Sequence, residues 1–190
     1  DSFSVEALLQ AIEVYSGRPI INSISLEEYE KGLDKVDAVV AKTHHHNPIY
    51  IALATGPKGP GATAQEKFDL AKQIYEKCRD QYGVRADQLL IDVNAFPIGS
   101  ESDESIKFAM ESLKAIKMVK GLHPDIMVTM GVGNLTNGLA KKPYMRKVLT
   151  SVFVVEARKA GMDAAIINPN HYVPVESLEE KDVEIAKRII

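Results

Sequence analysis

Short apolar runs and amphipathic stretches alternate along the whole chain. Five runs, such as 49–54, are short and almost wholly apolar, which is typical of strands covered on both faces. The stretches between them place apolar residues at helical spacing, most clearly in 64–82. The predicted strands are 19–25, 49–54, 88–93, 126–132 and 163–168, and the predicted helices are 3–16, 26–42, 64–82, 104–119, 144–160 and 179–190.

This alternation predicts an α/β fold with parallel strands joined by right-handed crossovers. Two architectures fit the pattern, a doubly wound open sheet and a (β/α)8 barrel. A complete barrel typically needs about 250 residues, whereas the chain has 190 residues. Five predicted strands and a further strand end at Asp1 give six units, two fewer than a barrel contains. No linker interrupts the pattern, so 1–190 is predicted to be one domain.

Composition and charge exclude several classes of function. The formal net charge of −3 gives no electrostatic reason to expect binding to nucleic acid or to an anionic membrane. No apolar run approaches about 18 residues, so no membrane-spanning helix is predicted. Cys78 is the single cysteine, which excludes an intrachain disulfide and favours a reducing compartment, the cytoplasm.

Polar residues recur where the predicted strands end. The carboxyl ends of parallel strands form the ligand site of such sheets, so these side chains are expected to meet. Carboxylates accept hydrogen bonds from amines and ring N–H groups, and amides both donate and accept. The set therefore suits a flat, nitrogen-rich heterocycle. Its members are Asp1, Asn22, Asp92, Asn94, Asn134, Asn168 and Asn170, with Lys58 in a loop on the same side.

The stretch 126–136 carries the strongest functional signal. An apolar strand runs into a turn containing Gly131 and Gly133, which allow the backbone to approach a ligand closely, and Asn134 follows. The strand-end set contains no strong nucleophile and no basic cluster, which disfavours covalent acyl transfer and phosphoryl transfer. The alternative for each single Asn or Asp is a capping role at a turn or helix start.

Three other features carry weaker signals. Histidine is a common metal ligand, but His44-His45-His46 precede a strand, away from the expected site, so no metal is predicted. Cys78 lies on the apolar face of a predicted helix and is assigned to the core. The loop 56–61 is rich in glycine but lacks the spacing of a phosphate-binding loop.

The strand-end motifs are informative when they are taken together. They are Asp1-Ser2, 21–25 (INSIS), 90–96 (LIDVNAF), 131–136 (GVGNLT) and 160–168 (AGMDAAIIN). In this order and spacing they resemble the pterin-binding barrels of corrinoid-dependent methyltetrahydrofolate methyltransferases. These include the folate domain of cobalamin-dependent methionine synthase and the methyltetrahydrofolate:corrinoid/iron–sulfur protein methyltransferase. The resemblance covers essentially all 190 residues.

The resemblance implies a (β/α)8 TIM barrel of the dihydropteroate synthase-like type. Asp1 would then end the third barrel strand, so 1–190 is expected to be a pterin-binding domain that lacks the first two βα units. Relatives hold the pterin ring with residues that match Asp1, Asn22 and Asp92, and they hydrogen-bond near N5 with the match of Asn134. The predicted catalytic residues are Asn134 and Asp92, and the predicted pterin-binding residues are Asp1, Asn22, Asp92, Asn94, Asn134 and Asn168.

The implied reaction moves the N5-methyl group of methyltetrahydrofolate, or of a related methanopterin, to Co(I) of a corrinoid. The chain lacks the Asp-x-His-x-x-Gly motif of B12-binding domains, so the cobalamin is expected on a partner domain or protein. A homodimer is compatible with the sequence. Two alternatives stay open. One is a dihydropteroate synthase-like enzyme, whose phosphate-binding Lys and Arg lack counterparts in 133–136 and 168–171. The other is an inactive pterin-binding module.

Overall fold

The computed structural model describes residues 1–2, 4–98 and 107–190, and a parallel sheet lies at its centre. Its four strands follow one another in chain order: β1 (Ile20–Ile24), β2 (Ile49–Leu53), β3 (Leu89–Asp92) and β4 (Met127–Thr129). One row across the sheet runs from Asn22 to Ile51, Leu90 and Met127, and every pairing is parallel. The predicted parallel α/β fold is therefore confirmed.

Amphipathic helices connect these strands, largely where the sequence predicts them. The helix α3 shows why the ends fall where they do. It begins with a capping box between Thr63 and Glu66 and ends at Gly83, whose φ of 64° is left-handed. The described helices are α1 (Val5–Val14), α2 (Lys35–Thr43), α3 (Ala64–Tyr82), α4 (Phe108–Lys120), α5 (Pro143–Ala160) and α6 (Glu180–Ile189).

The main core lies between the sheet and the helices. The strand β3 is buried along its whole length, as a strand covered on both faces must be. The helix α3 contributes Ile74 and Cys78 to the same apolar cluster. Cys78 has 0% exposure, and burial raises the pKa of its thiol to about 12, so its predicted place in the core is confirmed.

The predicted helix 26–42 is wrong in its first half. Residues Glu28–Glu30 and Leu33–Asp34 form a short antiparallel hairpin, and α2 begins only at Lys35. Gly32 provides the left-handed turn residue, with a φ of 79°. The Asp34 side chain then accepts a hydrogen bond from the Asp37 N–H, which caps the helix start. Apolar residues at near-helical spacing had concealed this turn.

The predicted fifth strand, 163–168, is reduced to one parallel bridge between Gly131 and Ile166. The strand predicted over 126–132 likewise stops at Thr129. The glycine-rich loop 56–61 and the residue before it contain a small hairpin of Thr55–Gly56 and Gly59–Pro60. Asp1 does not belong to a strand. In the described residues the sheet thus has four strands and an open edge, and a closed barrel is not observed.

Two parts of the predicted helices lie outside the described residues. These are Phe3, in the prediction 3–16, and residues 104–106, in the prediction 104–119. Among the helices that the structure does describe, none combines the length and apolar character needed to cross a membrane.

Candidate functional site

A cavity of about 350 Å³ opens at the carboxyl ends of the strands. This is the place where parallel sheets bind ligands, and the volume is sufficient for a small heterocycle. Four of the residues predicted from the sequence meet there. The lining residues are Asn22, Asp92, Asn134 and Asn168, together with Leu53, Gly131, Gly133, Ile166 and Ile167.

Asp92 is the one charged residue among these lining residues, and backbone groups hold it from two sides. Its Oδ1 accepts a hydrogen bond from the Asn94 N–H at 2.8 Å, and its Oδ2 accepts one from the Gly131 N–H at 3.0 Å. Only 6% of the residue is exposed. Each carboxylate oxygen can accept a further hydrogen bond, so Asp92 is a fixed acceptor for ligand N–H groups.

The electrostatic environment of Asp92 is mixed. Burial raises the pKa of this carboxyl to about 6, although the two backbone hydrogen bonds and the charge of Lys67 act against that rise. The group is mostly ionised at pH 7 and becomes mostly neutral below pH 6. A carboxyl that titrates so close to neutrality, inside a cavity, is typical of a functional site.

Asn134 lies across from this carboxylate, in the turn Val132–Thr136 that follows β4. Its Oδ1 accepts a hydrogen bond from Asn137 Nδ2 at 3.3 Å, so the Nδ2 of Asn134 points away from Asn137. A β-carbon placed on Gly131 would lie 3.4 Å from Asn134 Nδ2 and 3.9 Å from Asp92 Oδ2. Glycine at this position therefore leaves the amide donor and the carboxylate acceptor open to one ligand.

Asn22 and Asn168 complete the polar lining from the two sides of the cavity. Asn22 is a half-buried residue of β1. Asn168 follows the Gly131–Ile166 bridge, and its Oδ1 accepts a hydrogen bond from the Asn170 N–H at 3.0 Å. The capping role considered for single strand-end residues is thus real for Asn168, which also lines the cavity.

Comparison with known proteins identifies the family of the chain. The sequence profile of the family described as "Pterin binding enzyme" matches residues 1–168. The chain belongs to the pterin-binding enzyme family. The resemblance to pterin-binding proteins that the sequence indicated is thereby confirmed at the level of the family.

Two methionine synthases are relatives of this member of the family. The enzyme of Mycobacterium tuberculosis (strain ATCC 25618 / H37Rv) is 30% identical over 190 residues, and that of Mycobacterium leprae (strain TN) is 28% identical over 190 residues. Both alignments cover 100% of this chain but only 16% of the relative. The chain thus spans about one sixth of the length of these methionine synthases.

Two residues of the predicted pterin-binding set do not line the cavity. Asn94 turns its amide away, and its Nδ2 donates to the Ala54 carbonyl at 3.0 Å and to Thr55 Oγ1 at 3.2 Å. These bonds join the ends of β3 and β2. Asp1 lies at a separate cavity formed by α1 and the start of β1. The ligand contacts of both residues stay predictions.

Sequence reasoning missed Lys67, which lies beside the turn that follows Asp92, next to the cavity. Its ammonium donates hydrogen bonds to the carbonyl oxygens of Val93 and Asn94, the two residues after Asp92. The spacing of Lys67 from apolar residues of the same helix could have indicated that it is buried. Lys67 stands three residues after Ala64 and four before Ala71, and all three are buried residues on one face of α3.

The other candidate features lie away from the cavity. Lys58 lines a separate depression at the hairpin that follows β2. His44–His46 form a short turn of 3-10 helix before β2. Within the described ranges, no group of three or more His, Cys, Asp or Glu side chains has the geometry to hold a metal ion.

Proposed function

We propose that the chain binds methyltetrahydrofolate, or a related methylpterin, and takes part in transfer of its N5-methyl group to a corrinoid. The observation that carries this proposal is the shared cavity of Asp92 and Asn134 at the carboxyl ends of the strands. Family membership supports a pterin as the ligand class. The methionine synthase relatives support methyl transfer as the reaction class.

Asp92 is the residue that recognises the pterin ring in this proposal. A pterin offers an exocyclic amine and ring N–H groups on one edge, and a carboxylate accepts hydrogen bonds from such neighbouring donors. Because the backbone of Asn94 and Gly131 already fixes both oxygens, little conformational freedom is lost when the ring binds. Asn22 and Asn168 provide amides for the remaining polar atoms of the ring.

Asn134 acts on N5 in the proposed reaction. The bond from N5 to the methyl carbon breaks, and its electron pair stays on N5, which takes up a proton from water. The methyl group passes to Co(I) of the corrinoid, which becomes methyl-Co(III). Asn134 has no proton to give up, but its Nδ2 can donate a hydrogen bond to N5. Such a preorganised donor stabilises charge that develops in the transition state.

The composition of the cavity favours this reaction over dihydropteroate synthesis. A pterin pyrophosphate carries several negative charges and needs cationic groups beside it. The described residues that line the cavity include one carboxylate and neither Lys nor Arg. We therefore keep the dihydropteroate synthase-like enzyme and the inactive pterin-binding module as outcomes of the tests below.

The proposal extends to the architecture and the partner. Residues 1–190 belong to one pterin-binding domain of the (β/α)8 barrel type, and the four parallel strands are part of that barrel. The corrinoid is carried by another domain or protein that docks at the cavity. The free, buried thiol of Cys78 is consistent with action in a reducing cytoplasm.

A binding experiment tests recognition of the pterin. Isothermal titration calorimetry with methyltetrahydrofolate is expected to give saturable binding at pH 7 for the wild type. Asp92→Asn should weaken it at least about tenfold, because a hydrogen bond to a charged group is lost. Asp125→Asn removes an exposed carboxylate before β4 and serves as the matched control. Equal affinity for wild type and Asp92→Asn would rule out the proposed contact.

A transfer experiment tests the reaction. Methyltetrahydrofolate and free cob(I)alamin are mixed anaerobically with the chain, and methylcobalamin formation is followed in a single turnover. Asn134→Ala should lower the rate about 100-fold but change the folate Kd only about threefold, because its bond strengthens in the transition state. Gln65→Ala, which removes an exposed amide side chain on α3, is the matched control. Binding without transfer by the wild type would instead favour the inactive module.

A further inference from the structure

Lys67 carries its charge where water cannot reach it. The residue has 0% exposure, although lysine is almost never fully buried unless its charge is balanced. Burial lowers the pKa of Lys67 to about 8, while the carboxylates of Asp92 on β3, Glu111 on α4 and Glu66 on α3 act to raise it. The ammonium is therefore still charged at pH 7, in surroundings that disfavour the charge.

The contacts of the ammonium are to the turn that follows Asp92. Lys67 Nζ donates to the Val93 carbonyl and, at 3.0 Å, to the Asn94 carbonyl. It also lies 4.7 Å from the centroid of the Phe96 ring, within the range of a cation–π interaction. The positive charge is thus fixed against the backbone at the carboxyl end of β3.

One peptide unit joins this ammonium to the carboxylate in the cavity. The carbonyl of the Val93–Asn94 peptide accepts from Lys67, and the N–H of the same peptide donates to Asp92 Oδ1 at 2.8 Å. In such a chain each hydrogen bond polarises the next. A rotation of this peptide would break both bonds at once. Asn94 has a left-handed φ of 59°, so the turn needs such contacts to hold it.

We propose that Lys67 is a positioning residue for the cavity: its ammonium fixes the Val93–Asn94 peptide and thereby keeps the Asp92 carboxylate oriented and charged for a ligand. This role rests on the proposed function for the identity of the ligand. The coupling of Lys67 to Asp92, however, is a property of the ligand-free chain. A purely architectural lysine would join α3 to the turn without affecting the protonation of Asp92.

Titration of Asp92 in the ligand-free chain tests the coupling. The carboxyl carbon of Asp92 is followed by ¹³C NMR in the wild type, in Lys67→Gln and in Lys67→Met. Gln keeps a donor and removes the charge, and Met removes both. Both variants should raise the pKa of Asp92 by about one pH unit, because a nearby positive charge is lost. Unchanged Asp92 titration in both variants would overturn the proposal.

Lys77→Met is the matched control, because Lys77 lies on the same helix but pairs with Asp34 and Asp37. It should lower stability without moving the pKa of Asp92. An equal movement in the control would also contradict the proposal. If neither Lys67 variant folds, the wild type decides. The Asp92 signal should then show a second inflection near pH 8, where Lys67 loses its proton, and a single inflection would exclude the coupling.

Methyltetrahydrofolate binding gives the functional readout. Wild-type affinity should be highest between the pKa of Asp92, about 6, and that of Lys67, about 8. In Lys67→Gln the acid side of this profile should move upwards by about one pH unit, which weakens binding at pH 6 about fivefold. If the wild type does not bind the folate at all, the proposed function fails, and the ligand-free titration still decides the role of Lys67.

Discussion

The helix α3 carries two partly or fully buried lysines, and their surroundings are opposite in kind. Lys77 pairs directly with two carboxylates, at 2.6 Å from Asp34 Oδ2 and 2.7 Å from Asp37 Oδ2. Lys67 instead reaches Asp92 only through a peptide unit. Both arrangements place a cation near an acid inside the protein, but only the second lies behind a cavity.

The pKa values of the two regions move in opposite directions. Burial opposes the charges of Lys77 and Asp37, but their mutual hydrogen bonds prevail, so the pKa of Lys77 is raised and that of Asp37 is lowered. For Asp92 and Lys67 burial prevails, and their pKa values lie at about 6 and about 8. The direct pair is locked in its charged form, whereas the separated pair titrates near neutral pH. The pair for which we propose a functional role is thus the one that direct contact does not lock in its charged form.

Breaking the direct pair should have the largest effect on stability. Lys77→Met leaves Asp34 and Asp37 next to each other without their cation. The free energy of unfolding should fall by about 2–4 kcal/mol, somewhat less than for a fully buried pair. Chemical denaturation measures this loss. The affinity for methyltetrahydrofolate should change less than twofold, and a large loss of affinity would show that the two regions are not separate.

The pH dependence of stability should differ in sign between the two regions. The raised pKa of Asp92 means that its stabilising contribution is present at low pH and is lost as the pH rises towards 6. Asp92→Asn should therefore gain stability relative to the wild type between about pH 4 and pH 7, by up to about 3 kcal/mol.

The lowered pKa of Asp37 predicts the reverse, because its contribution is present above the pKa of the unfolded chain and is lost as the pH falls. Asp37→Asn should lose stability relative to the wild type over the same pH range. Urea unfolding at several pH values gives both curves. Parallel curves for the two variants would contradict the contrast between the regions.

Much of the fold and of the candidate site follows from local sequence, and part of each does not. The apolar runs predicted each of the four strands, and the polar residues at their ends predicted the cavity of Asn22, Asp92 and Asn134. These predictions succeed because parallel strands bring their carboxyl ends to one edge of the sheet.

The failures have physical reasons. The hairpin before α2 was missed because its Leu33 continues a helical spacing that the turn at Gly32 interrupts. The strand 163–168 was overestimated because an apolar run does not reveal how many partners it finds, and Ile166 finds one bridge. Residue type alone also does not reveal that the left-handed turn aims the Asn94 amide at the Ala54 carbonyl, and the ligand contact of Asn94 stays a prediction.

A methyl group added at Gly131 should affect ligand binding more than it affects stability. Gly131→Ala places a β-carbon in van der Waals contact with Asn134 Nδ2, at 3.4 Å, and with Asp92 Oδ2, at 3.9 Å, where it would crowd a ligand that bridges the two. Methyltetrahydrofolate should bind about tenfold more weakly, whereas the free energy of unfolding should fall by only about 1 kcal/mol. Gly133→Ala, whose β-carbon meets nothing within 4 Å, is the stability control. Unchanged affinity in Gly131→Ala would place the ligand elsewhere.

The smallest effect is expected from Ser112 of α4, a neutral donor to the turn that follows Asp92. Its Oγ donates to the Asn94 carbonyl at 3.1 Å, beside the bond from Lys67. Ser112→Ala should cost about 1 kcal/mol of unfolding free energy, the usual contribution of one hydrogen bond. The pKa of Asp92, measured by ¹³C NMR, should stay unchanged, because Ser112→Ala removes a neutral hydrogen bond and leaves the positive charge of Lys67 in place.

The most direct test of the whole account is the ¹³C signal of the Asp92 carboxyl during titration with methyltetrahydrofolate. The account predicts a saturable change of this signal and a pKa of Asp92 that falls on binding, because ligand N–H groups stabilise the carboxylate. A saturated complex in which the Asp92 signal and its pKa match those of the ligand-free chain would contradict it.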